Sequence, residues 1–202
     1  MTEEEAREGT RERLGAAGAA RVEAFIAFLL EENQRQNLIS PGTVASVWSR
    51  HVLDSLQLLD LAGSWGTWID IGTGGGFPGM VIAIANRGAV TLVEPRRRRA
   101  DFLQAAASTL GLSQVTVVAS KVEQVAAKGD IISARAVAPV EKLLPAALHC
   151  ATATTTWILP RGQIGDDELG RLRKKWRGVF HVEPSVTDPR SSIVVAKGVA
   201  PR

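Results

Sequence analysis

The chain has 202 residues, 45% hydrophobic and 22% charged, with a formal net charge of +3. This composition excludes a disordered or fibrous chain, and the length suits one compact unit with a full core. So weak a positive balance permits an acidic partner such as nucleic acid but argues for one only where the charge is clustered.

The first 15 residues are charged and glycine-interrupted, and predict a loose helix or a frayed end. From Ala20 a helix is clear, because Val22, Phe25, Ile26, Leu29 and Leu30 form one apolar stripe at helical spacing. Ser40-Pro41-Gly42 reads as a turn. A second helix is expected over Val44–Leu61, turning Val47, Trp48, Val52, Leu56 and Leu59 inward. Residues 1–62 thus read as a helical N-terminal extension.

After Gly63, short apolar runs alternate with helical patterns. Strands are predicted at Thr67–Ile71, Val90–Glu94, Val115–Ala119, Asp130–Ala134 and Thr156–Leu159, with Val179–Glu183 and Ile193–Ala196 as a closing antiparallel pair. Helices fill the gaps at Gly79–Ala85, Arg97–Leu110, Val122–Ala126, Pro139–Cys150 and Asp166–Trp176. This alternation predicts an α/β unit over 63–202, doubly wound around a seven-stranded, mostly parallel sheet.

The lone Cys150 excludes an internal disulfide and reads as a small apolar residue closing a packed helix. No apolar run approaches the roughly 20 residues that span a bilayer. The acidic opening, Met1–Arg13, has no apolar centre and is no secretory signal. A cytoplasmic location is expected, with no membrane partner and no metal.

The strongest motif is Asp70-Ile71-Gly72-Thr73-Gly74-Gly75-Gly76-Phe77-Pro78-Gly79, a strand running into a glycine turn with a helix behind it. Glycines there allow a tight turn and close approach of the backbone to a ligand. Taken literally, Gly74, Gly76 and Gly79 match a dinucleotide fingerprint, but counted from the strand end at Gly72 the third position falls on Phe77 and fails. An acidic residue followed by G-x-G-x-G is the pattern of class I methyltransferases, which use S-adenosylmethionine. On this reading Asp70, Gly72, Gly74 and Gly76 belong to the cofactor site. Glu94, closing the second strand, is placed to accept from ribose hydroxyls, a feature both cofactors share. Two readings stand for Ser120–Glu123: a contact with adenine, or a helix-capping box.

No Asn/Asp-Pro-Pro-aromatic motif follows the fourth strand, and Cys150 has the wrong context for attack on a pyrimidine. A purine N7, which carries a lone pair and no proton, needs neither device. Arg135 at that strand's exit suits guanine O6 or a phosphate, or else a structural salt bridge.

Taken together, Asn37-Leu38-Ile39-Ser40, Arg50-His51-Val52-Leu53-Asp54-Ser55, the glycine loop and Ser133-Ala134-Arg135-Ala136-Val137-Ala138 resemble the bacterial small-subunit rRNA guanine-N7 methyltransferase G family, also called GidB. The likeness runs from about Asn37 to Lys197, with weaker late motifs at Arg161-Gly162-Gln163 and Pro189-Arg190. It implies a Rossmann-like class I fold and methyl transfer from S-adenosylmethionine to N7 of a guanine in small-subunit (16S) rRNA, in line and without a required general base. By matching position it also implies cofactor contacts from Gly72, Phe77, Val122, Glu123 and Arg135. Arg135 and Arg190 would be catalytic or RNA-facing, and His51 and Asp54 would line the site mouth. Gly75 stands where relatives often have Pro or Ala, and Arg161 where many have Lys.

The expected partner is small-subunit rRNA or the small ribosomal subunit, met by a monomer. Two basic clusters are available, Arg96-Arg97-Arg98-Arg99 and Arg171–Arg177. Each reads either as an RNA contact or as a solvated face. Arg161 joins the first as an RNA-facing candidate. An NAD-dependent oxidoreductase, a non-enzymatic assembly factor and a small-molecule methyltransferase are the competing readings. The acidic residues Glu3–Glu5 are expected to point away from RNA.

Overall fold

The computed structural model describes residues 1–202 apart from 64, 65 and 87. A helix α1 (Glu3–Asn33) leads into α2 (Pro41–Val44), a π-helical turn (Trp48–Leu53), α3 (Asp54–Leu56) and α4 (Leu58–Ala62). The α/β portion follows as β1 (Trp68–Ile71), α5 (Gly79–Ala85), β2 (Val90–Val93), α6 (Arg97–Thr109), β3 (Val115–Val118) and β4 (Ile131–Ala134). It closes with α7 (Val140–Ala147), β5 (Thr156–Gly162), α8 (Asp166–Lys175), β6 (Trp176–Pro184) and β7 (Ser191–Pro201).

One seven-stranded sheet has the order β3-β2-β1-β4-β5-β7-β6. Neighbours among β1–β5 pair in parallel, while β7 runs antiparallel to both β5 and β6. Ile71 is level with both Val93 and Ala134, so the loops after β1, β2 and β4 emerge side by side. The chain order reverses between β1 and β4, and a crevice at that point is where open α/β sheets take ligands.

Strand periodicity divides the core. Trp68, Val90, Leu92, Ile131 and Ile158 pack toward the face covered by α1 and α3–α6. Ile69, Ile71, Val93, Ile132 and Trp157 pack toward α7 and α8. Cys150 is buried at the end of the 3₁₀ turn that closes α7, as its apolar setting predicted. Among the described residues, no helix is long and apolar enough to cross a membrane.

The helix expected over Val122–Ala126 is only a 3₁₀ turn, Val122–Gln124, and three further expectations need correction. The first 15 residues are not frayed. Thr2 and Glu5 form a capping box, and Ala6 and Thr10 are fully buried. The glycine interruption survives only as a kink at Gly15 (φ 68°). Moreover, the Glu3 carboxylate accepts from the backbone N–H groups of Trp48 and Ser49 at 2.9 Å each, which ties the amino end to the π-helical turn. The helix expected over Val44–Leu61 is instead the π-helical turn followed by the short α3 and α4, with Val44 ending α2, and it buries Leu58 in preference to Leu59. Finally, α8 stops at Lys175, because Trp176 is recruited to the sheet opposite Pro201.

Candidate active site

The loop after β1 is held from beneath. Asp70 is fully buried; its Oδ1 accepts from the Ser133 hydroxyl at 2.7 Å and its Oδ2 from the Gly79 N–H at 3.0 Å. Ser133 in turn accepts from the Trp68 indole at 2.8 Å. Burial pushes the Asp70 carboxyl up to about 6, against the pull of its hydrogen bonds. Both oxygens are engaged inside the fold. Asp70, read in the sequence as a cofactor contact, anchors the loop to the first turn of α5. Gly72 adopts φ 67°, and a Cβ there would lie 2.5 Å from Val137 Cγ2. That residue must be glycine on both counts.

A first cleft of about 510 Å³ opens at the carboxyl ends of β1, β2 and β4. Gly72, Glu94, Val122 and Glu123 line it, with Val137 and Leu143 as apolar wall and Lys121 and Arg96 at its margin. Glu94 is buried, its Oε2 accepting from the Gly74 N–H (3.0 Å) and its Oε1 from the Arg96 N–H (2.8 Å). The carboxylate therefore couples the two loops while facing the cleft. This volume suits a drug-sized ligand. An apolar wall with one carboxylate at the β2 exit fits a nucleoside such as that of S-adenosylmethionine. Gly76 and the Phe77 ring are outside the lining of this cleft and pack on Phe25.

Beside it a second cleft of about 400 Å³ is lined by Thr43, Arg50, His51, Asp54, Arg135, Arg161 and Ser191, among others. Ala136 lines both clefts, with a left-handed φ of 56° unusual for an alanine. This strained residue turns the chain so that Arg135 enters one cleft and Val137 the other. The Arg135 guanidinium donates to Asp54 Oδ2 (3.1 Å), the Arg50 carbonyl (3.2 Å) and His51 Nδ1 (2.9 Å). Its centre lies 5.6 Å from the Phe77 ring centroid. His51 stacks on the same ring at 4.9 Å. Burial, then the charges of Arg135 and Arg50, push the imidazole down to about 3. The neutral ring accepts from Arg135 at Nδ1, so Nε2 carries the proton and donates to the Thr43 hydroxyl at 2.9 Å.

The structure thus brings Gly72, Glu94, Val122 and Glu123 to one cleft and Arg135 and Arg161 to its neighbour. Arg190 sits nearby, its side chain 83% exposed and its N–H donated to Asp188. Arg96, Arg97 and Arg98 are exposed on the same rim, while Arg99 is tied to the Asn37 carbonyl at 2.7 Å. Sequence reasoning passed over Gln57, Ser185, Thr187 and Asp188, and met Arg50 only inside a motif. Arg50 pairs with Asp188, whose carboxyl is held down to about 2 by the Arg190 N–H and the Arg50 side chain. The available signal was the spacing of Arg50, Asp54 and Gln57, which places them on one helix face.

Comparison with known proteins bears on this geometry. The model of the GidB family, rRNA small subunit methyltransferase G, matches residues 19–188. The ribosomal RNA small subunit methyltransferase G of Erythrobacter litoralis (strain HTCC2594) is 45% identical over 202 residues, covering 98% of each chain. Its namesake from Rhizorhabdus wittichii is 44% identical over 207 residues, covering 100% of this chain and 95% of the other. In fold, the chain is similar to a mutant of MtNAS crystallised with S-adenosylmethionine. The TM-score is 0.56 at 18% identity, covering 88% of this chain and 74% of that one. By its sequence, the chain belongs to the rRNA small subunit methyltransferase G family of S-adenosylmethionine-dependent methyltransferases.

Proposed function

We propose that this chain methylates N7 of a guanine in small-subunit rRNA by in-line transfer, with no general base. The observation that carries this reading is the junction of the two clefts at Ala136. Gly72, Glu94, Val122 and Glu123 would hold the cofactor in the first, with Gly74, Gly76 and Phe77 continuing the loop that carries Gly72. Arg135 stands at the boundary, able to reach toward either side. The second cleft would receive the base. Bound in the first cleft, S-adenosylmethionine supplies an electrophilic methyl group on a sulfonium.

The engagement of the nearby basic and acidic groups supports an acceptor that loses no proton. His51 uses both ring nitrogens, Asp70 is buried beneath the loop, and the Asp54 carboxylate is committed to Arg135 and its neighbours. Guanine N7 asks only to be oriented and shielded from water, and such positioning supplies roughly 7–11 kcal/mol of barrier reduction. The forked donors of Arg135 suit guanine O6 or a phosphate, and those of Arg190 a phosphate.

Arg96, Arg97, Arg98, Arg99 and Arg161 share the carboxyl rim with both clefts and are the proposed RNA contacts. The Arg171–Arg177 cluster lies elsewhere. Arg177 pairs opposite Ala200, toward the end of the sheet where Lys197 meets Thr156 at the start of β5. Arg171 is itself paired with Glu141. The reading further has the protein acting as a monomer in the cytoplasm.

The test is methyl transfer from labelled S-adenosylmethionine to small subunits lacking native modification, followed by nucleoside mass spectrometry. We expect 7-methylguanosine, reduced about 10²–10³-fold by Arg135→Ala. A different methylated nucleoside would overturn the choice of acceptor atom.

A further inference from the structure

The run from Trp48 to Gln57 has two faces. Trp48, Val52 and Leu56 enter the core, while Arg50, Asp54 and Gln57 meet the turn between β6 and β7. Gln57 Oε1 accepts from the Val186 N–H at 2.9 Å, and its amide donates to Asp54 Oδ1 at 2.8 Å. The same Oδ1 accepts from the Thr187 hydroxyl at 2.8 Å. The other oxygen, Oδ2, receives Arg135 at 3.1 Å. Asp54 and Arg135 are largely sequestered, with side chains 16% and 19% exposed. One carboxylate therefore joins three elements: the helix behind the second cleft, the turn beside it and the arginine at its boundary with the first.

We propose that Asp54 is a positioning residue for methyl transfer, aiming the Arg135 guanidinium across the junction of the two clefts and coupling that aim to the β6–β7 turn. The inference rests on reading the second cleft as the acceptor site. Asp54 touches neither cofactor nor base in this scheme; it acts through Arg135. His51 and the Arg50 carbonyl fix the guanidinium from two further sides, and of the groups that bond it among the described residues only Asp54 carries the opposite charge. Without that charge the guanidinium keeps its neutral partners and loses the one that sets its direction.

A double-mutant cycle tests this with the full-length protein and unmodified small subunits, in single-turnover assays at saturating S-adenosylmethionine. Asp54→Asn is expected to slow transfer about 100-fold, the scale of a displacement near 1 Å in a reacting site. In the Arg135→Ala background the same change should slow it less than about 3-fold, because the group it directs is gone. Asp54→Glu, which keeps the charge on a longer arm, should recover at least about 10-fold over Asn. A purely structural role gives equal losses in both backgrounds and no rescue, and would overturn the proposal, as would a wild-type rate in Asp54→Asn. Thermal unfolding is followed for every variant. Should Asn fail to fold, the cycle is run with Glu, whose displaced carboxylate must again lose its effect when Arg135 is absent. If the wild-type protein makes no 7-methylguanosine, the acceptor reading itself fails and the inference falls with it. Activity in the wild type together with independent losses rejects the positioning role alone.

Discussion

The first cleft is shaped largely by backbone: a glycine turn seated on a buried carboxylate, the main-chain N–H groups of Gly74 and Arg96 gathered by Glu94, and apolar walls from the adjoining elements. Beside it, the second cleft is shaped by side chains from distant segments, with Arg50 and Asp54 reaching the β6–β7 turn and Arg135 reaching back to both Asp54 and His51. The contrast has a physical basis. Main-chain geometry set by glycine conformation has few alternatives, whereas a net of long polar side chains has many rotamers and is selected by mutual pairing. Changes on the first side should therefore register in folding and cofactor affinity, and changes on the second in transfer rate.

The largest effect that could break this contrast is at Asp70. Its folded-state value is about 6, above the ordinary 3.8, so the neutral form is favoured in the folded chain. The stability this contributes is full below about 3.8 and is lost as pH rises through 6. A shift of that size corresponds to about 3 kcal/mol. In Asp70→Asn the amide can still accept from Gly79 and donate to Ser133, and its charge no longer titrates. The stability of the variant relative to the wild type should rise by up to about 3 kcal/mol between pH 4 and pH 7 in urea unfolding. The same relative stability at both pH values would mean that the buried carboxylate is not under strain, and the loop would lose its distinction from the second cleft.

A smaller change sharpens the same point. In Gly72→Ala a Cβ meets Val137 at 2.5 Å on a residue with φ 67°. Strain of about 1–2 kcal/mol is expected, and with it roughly 10-fold weaker binding of S-adenosylhomocysteine by equilibrium titration. Undiminished affinity would show that the turn yields more readily than its geometry suggests.

This division also decides what could be read before any coordinates. The glycine loop is contiguous, so its residues and the strand–turn–helix around it were legible, as were all seven strands. Asp70 was found but misassigned, since sequence gives its position beside the loop and not which way its carboxylate faces. At the second cleft, Arg50 and Asp188 are separated by 138 positions, and no local pattern pairs them. The amino end was misread for a related reason. Glycines at 9 and 15 argued for fraying, while burial of Ala6 and Thr10 and the contact of Glu3 with residues 48 and 49 depend on tertiary packing. The π-helical turn likewise has no signature in Trp48–Leu53 that separates it from an ordinary helix.

The weakest expected effect concerns the outer surface, where the two basic clusters can be set against each other. Arg97→Glu with Arg98→Glu alters the exposed carboxyl rim beside the first cleft. Lys174→Glu with Lys175→Glu makes the same change in net charge on the last turn of α8, near the opposite end of the sheet. A general electrostatic repulsion would affect binding of small-subunit rRNA equally in the two variants. Local phosphate contacts at the rim predict a difference: the first pair should flatten the log–log salt dependence by about 1.8 on duplex RNA, and less on single strands. The second pair should leave the slope within error and the affinity within about 2-fold, with cofactor binding unchanged in both. If the α8 pair carries the larger slope, the RNA must wrap past the end of the sheet, and the clefts alone do not define the docking face.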